Sequence, residues 1–554
     1  MTSRWGTLIA MGAGAAAFAM VAPERADACG GFFCNAQQPV IQTGEAIIFA
    51  VDRPSQTVEA TINISYQGAA QDFAWILPLQ AAPTSIELGS SFAFQTMQQL
   101  TLPRFQITEV EETGICGPSA RFASDSAAGT NFPAAPNEEK DPGVQVLKQA
   151  QVGPYDTVVL SGKTAEDIRQ WLVGNDYNVT DAMMQQVVPY VAQGDVLMAL
   201  KLRKDQSTGD IQPIKLVMPG DQACVPLRLT AIAAQDDMQV LVGVLSNEGR
   251  AIPENYFHVT PNLARIDWLR GGANYSQLIA DAVDEGEGNA FTTEFSGSAR
   301  IFDQQIFVAG RIDTQALASA PKIDDFLRLA IQMGLSSRSE LAGILSRAIS
   351  DEALAAAGLD RTTFNNCIPC FIGNFGSATL DAVAASAEIE ERIVAPERKA
   401  QATFDRFGHF TRLNTFISPE EMGVDPDFVF NASLPDVSNV HGAKMILDCG
   451  VGGSPGSAGV HVILEDGTTI SFDSNGNPDR TLLDSMPAAV KVEQLAQGLL
   501  VRDNSRTIEQ QLDEHNGRNG AGCGCASSDA RRSLVSSAAL IALLGAAILL
   551  RRRR

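Results

Sequence analysis

The chain has 554 residues, a formal net charge of −23, 45% hydrophobic residues and 19% charged ones. Those proportions belong to folded rather than disordered proteins, and the length exceeds one hydrophobic core, so two or three domains are expected. Residues 1–28 sum to zero and 529–554 to +5, which leaves −28 on 29–528; that field repels nucleic acid and anionic lipid and excludes both as partners of the body.

Arg4 precedes an apolar, Ala/Gly-rich stretch over 8–22, and Ala26-Asp27-Ala28 has the small-x-small pattern of a secretory cleavage site. Residues 1–28 are therefore predicted to be a signal peptide. Cleavage after Ala28 would leave Cys29 first, as in a lipoprotein. Asp27 fits poorly before a lipidated Cys, so ordinary cleavage is the preferred reading.

Cys29-Gly30-Gly31-Phe32-Phe33-Cys34 opens the mature chain, its two glycines allowing a tight bend. Val58, Ala60, Ile62, Ile64 and Tyr66 alternate with polar residues, the period of a half-buried strand. The run 72–78 reads as a strand buried on both faces and ended by Pro78. A short helix over 90–99 and a strand over 105–110 follow. Residues 112–143 are rich in Gly, Pro, Ser, Ala and Asn, a flexible surface insert that Cys116 can tether.

From Tyr155 order returns. Thr164 caps a helix with Asp167 as its partner, and Ile168, Trp171 and Leu172 form the inner face. Thr180 caps a second helix over 181–193, with Met184, Val187, Val188 and Val191 inward and Pro189 bending it. Strands are predicted over 157–160, 196–202 and 214–218, and a hairpin joins 227–233 to 238–245 across Gln235-Asp236-Asp237. A helix over 276–283 and a strand over 290–294 complete an α+β arrangement without βα alternation.

Residues 321–400 read as helices. Ser337 with Glu340 forms a capping box, and Ser350 and Ser377 start further helices; the one over 379–394 is Ala-rich. Residues 411–490 return to strands and turns, and 503–522 form a polar stalk. Gly522-Cys523-Gly524-Cys525 then leads, past Arg531 and Arg532, to an apolar run over 534–550 and to Arg551–Arg554. As a helix that run would span roughly 26 Å at about 1.5 Å per residue, just short of the ~30 Å hydrocarbon core. Flanking arginines extend its reach, and the positive-inside rule puts the terminal block in the cytoplasm.

Nine cysteines are present, Cys523 and Cys525 among them. The other seven should mostly pair in an oxidising compartment, with one left free, lipidated or bonded to another chain. Cys29 with Cys34 and Cys367 with Cys370 are local candidates; Cys224 and Cys449 complete the candidate set. Cys367-Ile368-Pro369-Cys370 also has thiol–disulfide exchange spacing. No convincing helix follows it, so a structural disulfide is preferred. Asp473-Ser474-Asn475-Gly476-Asn477-Pro478-Asp479 offers oxygen ligands at alternate positions, as calcium loops do, but Asn475-Gly476 after a strand-like run reads better as a hairpin turn. The five histidines, His258, His409, His441, His461 and His515, lack zinc-ligand spacing. The chain has no nucleophile elbow, phosphate loop or dinucleotide fingerprint, so no catalytic residue, metal site or cofactor is predicted. Trp75, Trp171 and Trp268 read as core.

The tail resembles the myxobacterial-type C-terminal sorting signal (MYXO-CTERM), with Cys523 and Cys525, the span and the Arg block in the matching places. That resemblance implies an envelope sorting protease as partner, removal of the span, and a lipid on a retained Cys. The body resembles the bacterial domain of unknown function 2330. The matching residues are 28–34, Trp75-Ile76-Leu77-Pro78, Gly153-Pro154-Tyr155-Asp156, Trp171-Leu172, Asn175-Asp176-Tyr177, Pro226-Leu227-Arg228-Leu229, Thr411-Arg412-Leu413 and 418–422. This resemblance implies no reaction.

The expectation is thus a multi-domain α+β protein with mostly antiparallel sheets, a helical segment, a signal peptide and one C-terminal transmembrane helix. Its parts are 1–28 leader, 29–111 strand-rich, 112–143 insert, 144–300 α+β, 301–400 helical and 401–502 strand and turn. The stalk with its Cys motif follows at 503–532, the membrane helix at 533–550 and the cytoplasmic tail at 551–554. The expected role is that of a non-catalytic protein held at the membrane or cell surface, structural, adhesive or ligand-binding. The alternative is an extracytoplasmic thiol–disulfide oxidoreductase using Cys367 and Cys370.

Overall fold

The structure, a computed structural model, describes residues 41–67, 74–114, 144–175, 177, 179–203, 211–449, 458–472 and 478–519. The predicted signal peptide, Cys29, Cys34, Cys116, residues 473–477 of the candidate calcium loop at 473–479, Cys523, Cys525 and the span over 533–550 lie outside the described residues; Asp479, at the end of that loop, caps the helix Arg480–Asp484. Among the described residues, no helix is long and apolar enough to cross a membrane.

The fold is mixed α+β with mostly antiparallel sheets. A ten-stranded central sheet runs Leu499–Asp503, Ala489–Gln494, Phe257–Pro261, Ala290–Ser298, His409–Ile417, Ala234–Ser246, Ile41–Asp52, Thr57–Gln67, Ile214–Pro219, Ser85–Leu88. Segments far apart in sequence therefore share one sheet. Two neighbouring inner strands, Ile41–Asp52 and Ala234–Ser246, pair in parallel. Both strands carry continuous apolar runs, as strands covered on both faces require. Ile47 and Phe49 face one core with Val240 and Val242. Ile48 and Ala50 face another with Leu241, Phe94 and Phe410. Gly243 lets the helix Ser91–Thr101 approach: a Cβ there would stand 2.9 Å from Met97 Sδ and from the Phe410 ring.

A smaller sheet, in the order Ala74–Leu79, Val196–Leu202, Tyr155–Ser161, Gln145–Val152, lies on the central one. Trp75, Leu77, Met198 and Leu200 face the central sheet, while Ile76, Leu160, Leu197 and Ala199 face the helices Ala165–Gly174 and Asp181–Gln193. The expected burial on both faces of the Trp75 strand is what the structure has. Pro78 does not end it: the strand continues to Leu79, because it is the sheet's edge and the missing N–H has no ladder to serve.

The Thr164–Asp167 capping box and the Thr180 cap form as expected. Val188 does not turn inward. It is 49% exposed, and Met183 and Tyr190 join Met184 and Val187 on the buried stripe. The hairpin expected from 227 is absent. Leu227–Thr230 is one helical turn after Pro226, and it sends Leu227 into one core and Leu229 into another.

The helical segment has its own core, built on Phe326, Leu327, Ile344, Phe364 and Ile389. Its Ser337–Glu340 capping box is not formed. Ser337 Oγ bonds Gly334 O (2.9 Å), and Glu340, buried, instead accepts from Gln212 Nε2 (3.2 Å). Asp381, not Ser377, caps the helix Ala382–Ile389. That helix passes through a π turn, Glu390–Val394, into Ala395–Phe404, so Pro396 is accommodated where the i→i−4 ladder is already broken. Residues 505–519, expected as stalk, are a helix, Ser505–Asn519, docked on the body: Ile508 and Leu512 are buried, and Asn516 bonds Ser471 N and Thr469 O.

Candidate functional site

The two stacked sheets leave a cavity of about 280 Å³ between them. Ile47, Phe49, Ala60 and Leu216 form its floor on the central sheet, and Leu77 and Leu79 hang over it from the smaller one. These are the inward residues of strands whose period-2 alternation is legible in sequence. Ala60 is the small member among large neighbours, so the floor is hollow there.

One end of the cavity is polar. The helix Asp181–Gln193 delivers Tyr190 and, just past its end, Asp195; the short strand Ala223–Cys224 delivers Cys224; the Leu227–Thr230 turn delivers Arg228; the residues before and at the start of the strand Asp427–Asn431 deliver Asp425 and Asp427. The 422–427 stretch is strapped in place. Arg228 N–H donates to Asp425 Oδ1 (3.0 Å) and Arg228 Nε to Gly423 O (2.9 Å). Tyr256 Oη donates to Val424 O (2.6 Å), and Asn255 Nδ2 to Asp425 O (2.7 Å).

Charge here is out of balance. Burial raises the carboxyls of Asp195, Asp425 and Asp427 above their ordinary value, and the neighbouring carboxylates add to this for Asp195 and Asp427. Burial, then Asp427 and Asp425, push the Cys224 thiol well up. Cys224 is a free thiol, which removes it from the candidate disulfide set. The Tyr190 hydroxyl is likewise pushed up, by burial first and Asp425 second. It is buried and lines the cavity beside Asp425, without a hydrogen bond of ordinary geometry; Asp427 Oδ1 is also buried without one, although its carboxylate lies beside the Cys224 thiol. A protonated thiol is a poor nucleophile, and no histidine lines the cavity among the described residues. No cluster of three His, Cys, Asp or Glu that could hold a metal ion occurs among the described residues.

The residues singled out from sequence are dispersed. Cys367 and Cys370 are disulfide-bonded, with Cα atoms 5.4 Å apart. Cys367 ends the helix Arg361–Asn366 and Cys370 lies in the 3₁₀ turn Ile368–Phe371 that follows, so the motif closes a helix rather than opening one. Asp324 clasps the loop beyond, accepting from the N–H groups of Gly373 (2.7 Å) and Gly376 (3.0 Å). The side chain of Cys449 lies outside the described residues. His258 is buried with Arg250 and Thr293, His409 meets Ser296, His461 meets Ser471, and His441 stacks on Phe105. Trp75, Trp171 and Trp268 are packed in cores. Sequence reasoning missed Tyr190, Asp195, Asp425 and Asp427 as site residues. The Asp425-Pro426-Asp427 pair of acids was the available signal.

The model of a protein family described as "Uncharacterized protein conserved in bacteria (DUF2330)" matches residues 23–316. The match takes in Tyr190, Asp195, Cys224 and Arg228 and stops short of Asp425 and Asp427. No curated protein matches the chain. Among solved structures, the crystal structure of baculovirus P35 matches over 40% of this chain and 75% of that one, at 13% identity and a TM-score of 0.22, a likeness that carries nothing about fold or function.

Proposed function

The chain belongs to that bacterial family, and from this premise we propose that it is a surface-anchored, non-catalytic envelope protein whose body binds a small ligand. The cavity between the sheets carries the reading: it is concave, with an apolar floor and roof and a group of polar and charged side chains, the anatomy of a ligand site. At about 280 Å³ it stands at the lower end of the ~300–1,000 Å³ range of small-molecule pockets. The disulfide between Cys367 and Cys370 suits an oxidising compartment. The leader, the tail with Cys523 and Cys525, and the acidic body are the sequence support for export, for recognition by a sorting protease, and for retention at the membrane.

The test of binding is titration of the full chain, in detergent, with uncharged 2-phenylethanol. Saturable one-to-one binding that Ala60→Leu abolishes is the expected result, since the added methyls fill the hollow. Absence of binding, or binding untouched by both Ala60→Leu and Met218→Trp, overturns the reading. The anchor is tested separately: a tagged chain recovered in the cytosolic fraction would end the proposal of surface display.

One observation favours a second reading, thiol–disulfide exchange: Cys370 is exposed and Cys367 half-buried. There, one thiolate would attack a substrate disulfide and the other resolve the mixed disulfide, leaving substrate dithiol and the Cys367–Cys370 bond. Thiol labelling after exposure to reduced glutathione discriminates, because a pair that stays oxidised cannot turn over.

A further inference from the structure

The polar end of the cavity is built for a partner it does not itself supply. Among the described residues, three carboxylates, Asp195, Asp425 and Asp427, line this end with one cation, Arg228. The Arg228 Nε is already committed to the Gly423 carbonyl and its N–H to Asp425. Two oxygens there close no hydrogen bond of ordinary geometry: Tyr190 Oη, in a residue only 4% exposed and beside the Asp425 carboxylate, and Asp427 Oδ1, in a carboxylate beside the Cys224 thiol. A buried acceptor left unpaired carries the full cost of its desolvation, so a donor from outside is worth more here than on the surface. A metal ion is a poor fit, since no three ligating groups converge among the described residues. An ammonium group fits: it has three donors and one positive charge, and it would meet Asp425, Asp427 and Tyr190 Oη.

Behind these oxygens the wall is apolar, from Phe49, Ala60, Leu77 and Leu216. The same ligand must therefore carry a hydrocarbon body. The volume accommodates roughly nine groups of water or methylene size at ~30 Å³ each. Resting on the binding role proposed above, we infer that the cavity takes a small primary amine in its ammonium form, head among Asp425, Asp427 and Tyr190, apolar body between the sheets.

The experiment compares three probes of one shape by calorimetry on the full chain: 2-phenylethylammonium, 2-phenylethanol and 3-phenylpropanoate. The ammonium should bind roughly tenfold or more tighter than the alcohol, as a charge-assisted hydrogen bond implies, and the anion weakest. Asp425→Asn with Asp427→Asn should bring the ammonium to within about threefold of the alcohol, both measured on that variant. Asp427→Asn alone, which leaves the strap to Arg228 intact, should lower the preference part way. An alcohol that binds as tightly as the ammonium, or a preference that survives in the double variant, overturns the amine assignment while the cavity stands. Failure of all three probes overturns both.

Discussion

Charge is buried against the central sheet in a balanced way at one place and in an unbalanced way at another. In the middle of the sheet, Arg412 and Glu294 form an ion pair that is almost wholly buried. Asn414 Nδ2 (2.7 Å) and Tyr275 Oη (3.1 Å) bond Glu294, and Arg412 Nη1 reaches Thr101 Oγ1 (3.3 Å). At the cavity mouth, among the described residues, three carboxylates share one arginine, and Tyr190 Oη and Asp427 Oδ1 close no hydrogen bond of ordinary geometry. A buried pair with its hydrogen bonds closed is what a fold can afford as structure. An unclosed one is a group held ready for something else.

The comparison can be broken most severely at its matched end. Arg412→Met leaves Glu294 buried alone and should cost about 3–5 kcal/mol, read by urea unfolding; a loss below about 1 kcal/mol would mean the pair holds little. Next comes Glu45, on the cavity side of the sheet, whose neighbours are Gln42, Thr230 and, through its charge, Asp425. Burial pushes its carboxyl up from 4.5 to about 7. The folded state therefore holds a proton that the unfolded state releases earlier. This contribution to stability is complete below about pH 4.5 and is lost as pH rises through about 7, a swing on the order of 3 kcal/mol. Glu45→Gln should flatten that slope in melts recorded from pH 5 to 8; an unchanged slope would remove Glu45 as its source.

A smaller effect sharpens the unmatched end. Asp427→Asn removes a charge that burial, Glu254 and Asp425 disfavour, so the ligand-free protein should gain up to about 1 kcal/mol while ammonium preference falls. A loss of stability instead would show that Asp427 supports the fold. The smallest effect is the control: Arg328 and Asp325 pair in solvent (2.9 Å, each about half exposed), and Arg328→Ala should change stability by less than about 0.5 kcal/mol.

The cavity's walls were legible and its mouth was not. Val58, Ala60 and Ile62 announce an inward face by alternation, and the 72–78 run announces a strand covered twice. Which sheet covers that face is not written locally: Leu77 meets Phe49 only because the smaller sheet lies across the central one. The misread 227–233 stretch shows the same boundary. Leu227 and Leu229 alternate like a strand, yet a turn after Pro226 splits them between two cores and points Arg228 at Asp425. Ser337 failed as a cap for a related reason, since Glu340 had a tertiary partner in Gln212.

What the sequence determined by itself is whatever closes within a few residues: the caps at Thr164 and Thr180, the apolar stripes, the Cys367–Cys370 pair, the acidic balance. The tertiary structure alone decided that Tyr190 and Asp195 would share a mouth with Asp425 and Asp427, more than two hundred residues away. Local hydrogen bonds and periodicity act over one turn or one strand. The position of a charge relative to a distant charge depends on how whole sheets stack, and no short window of the chain carries that.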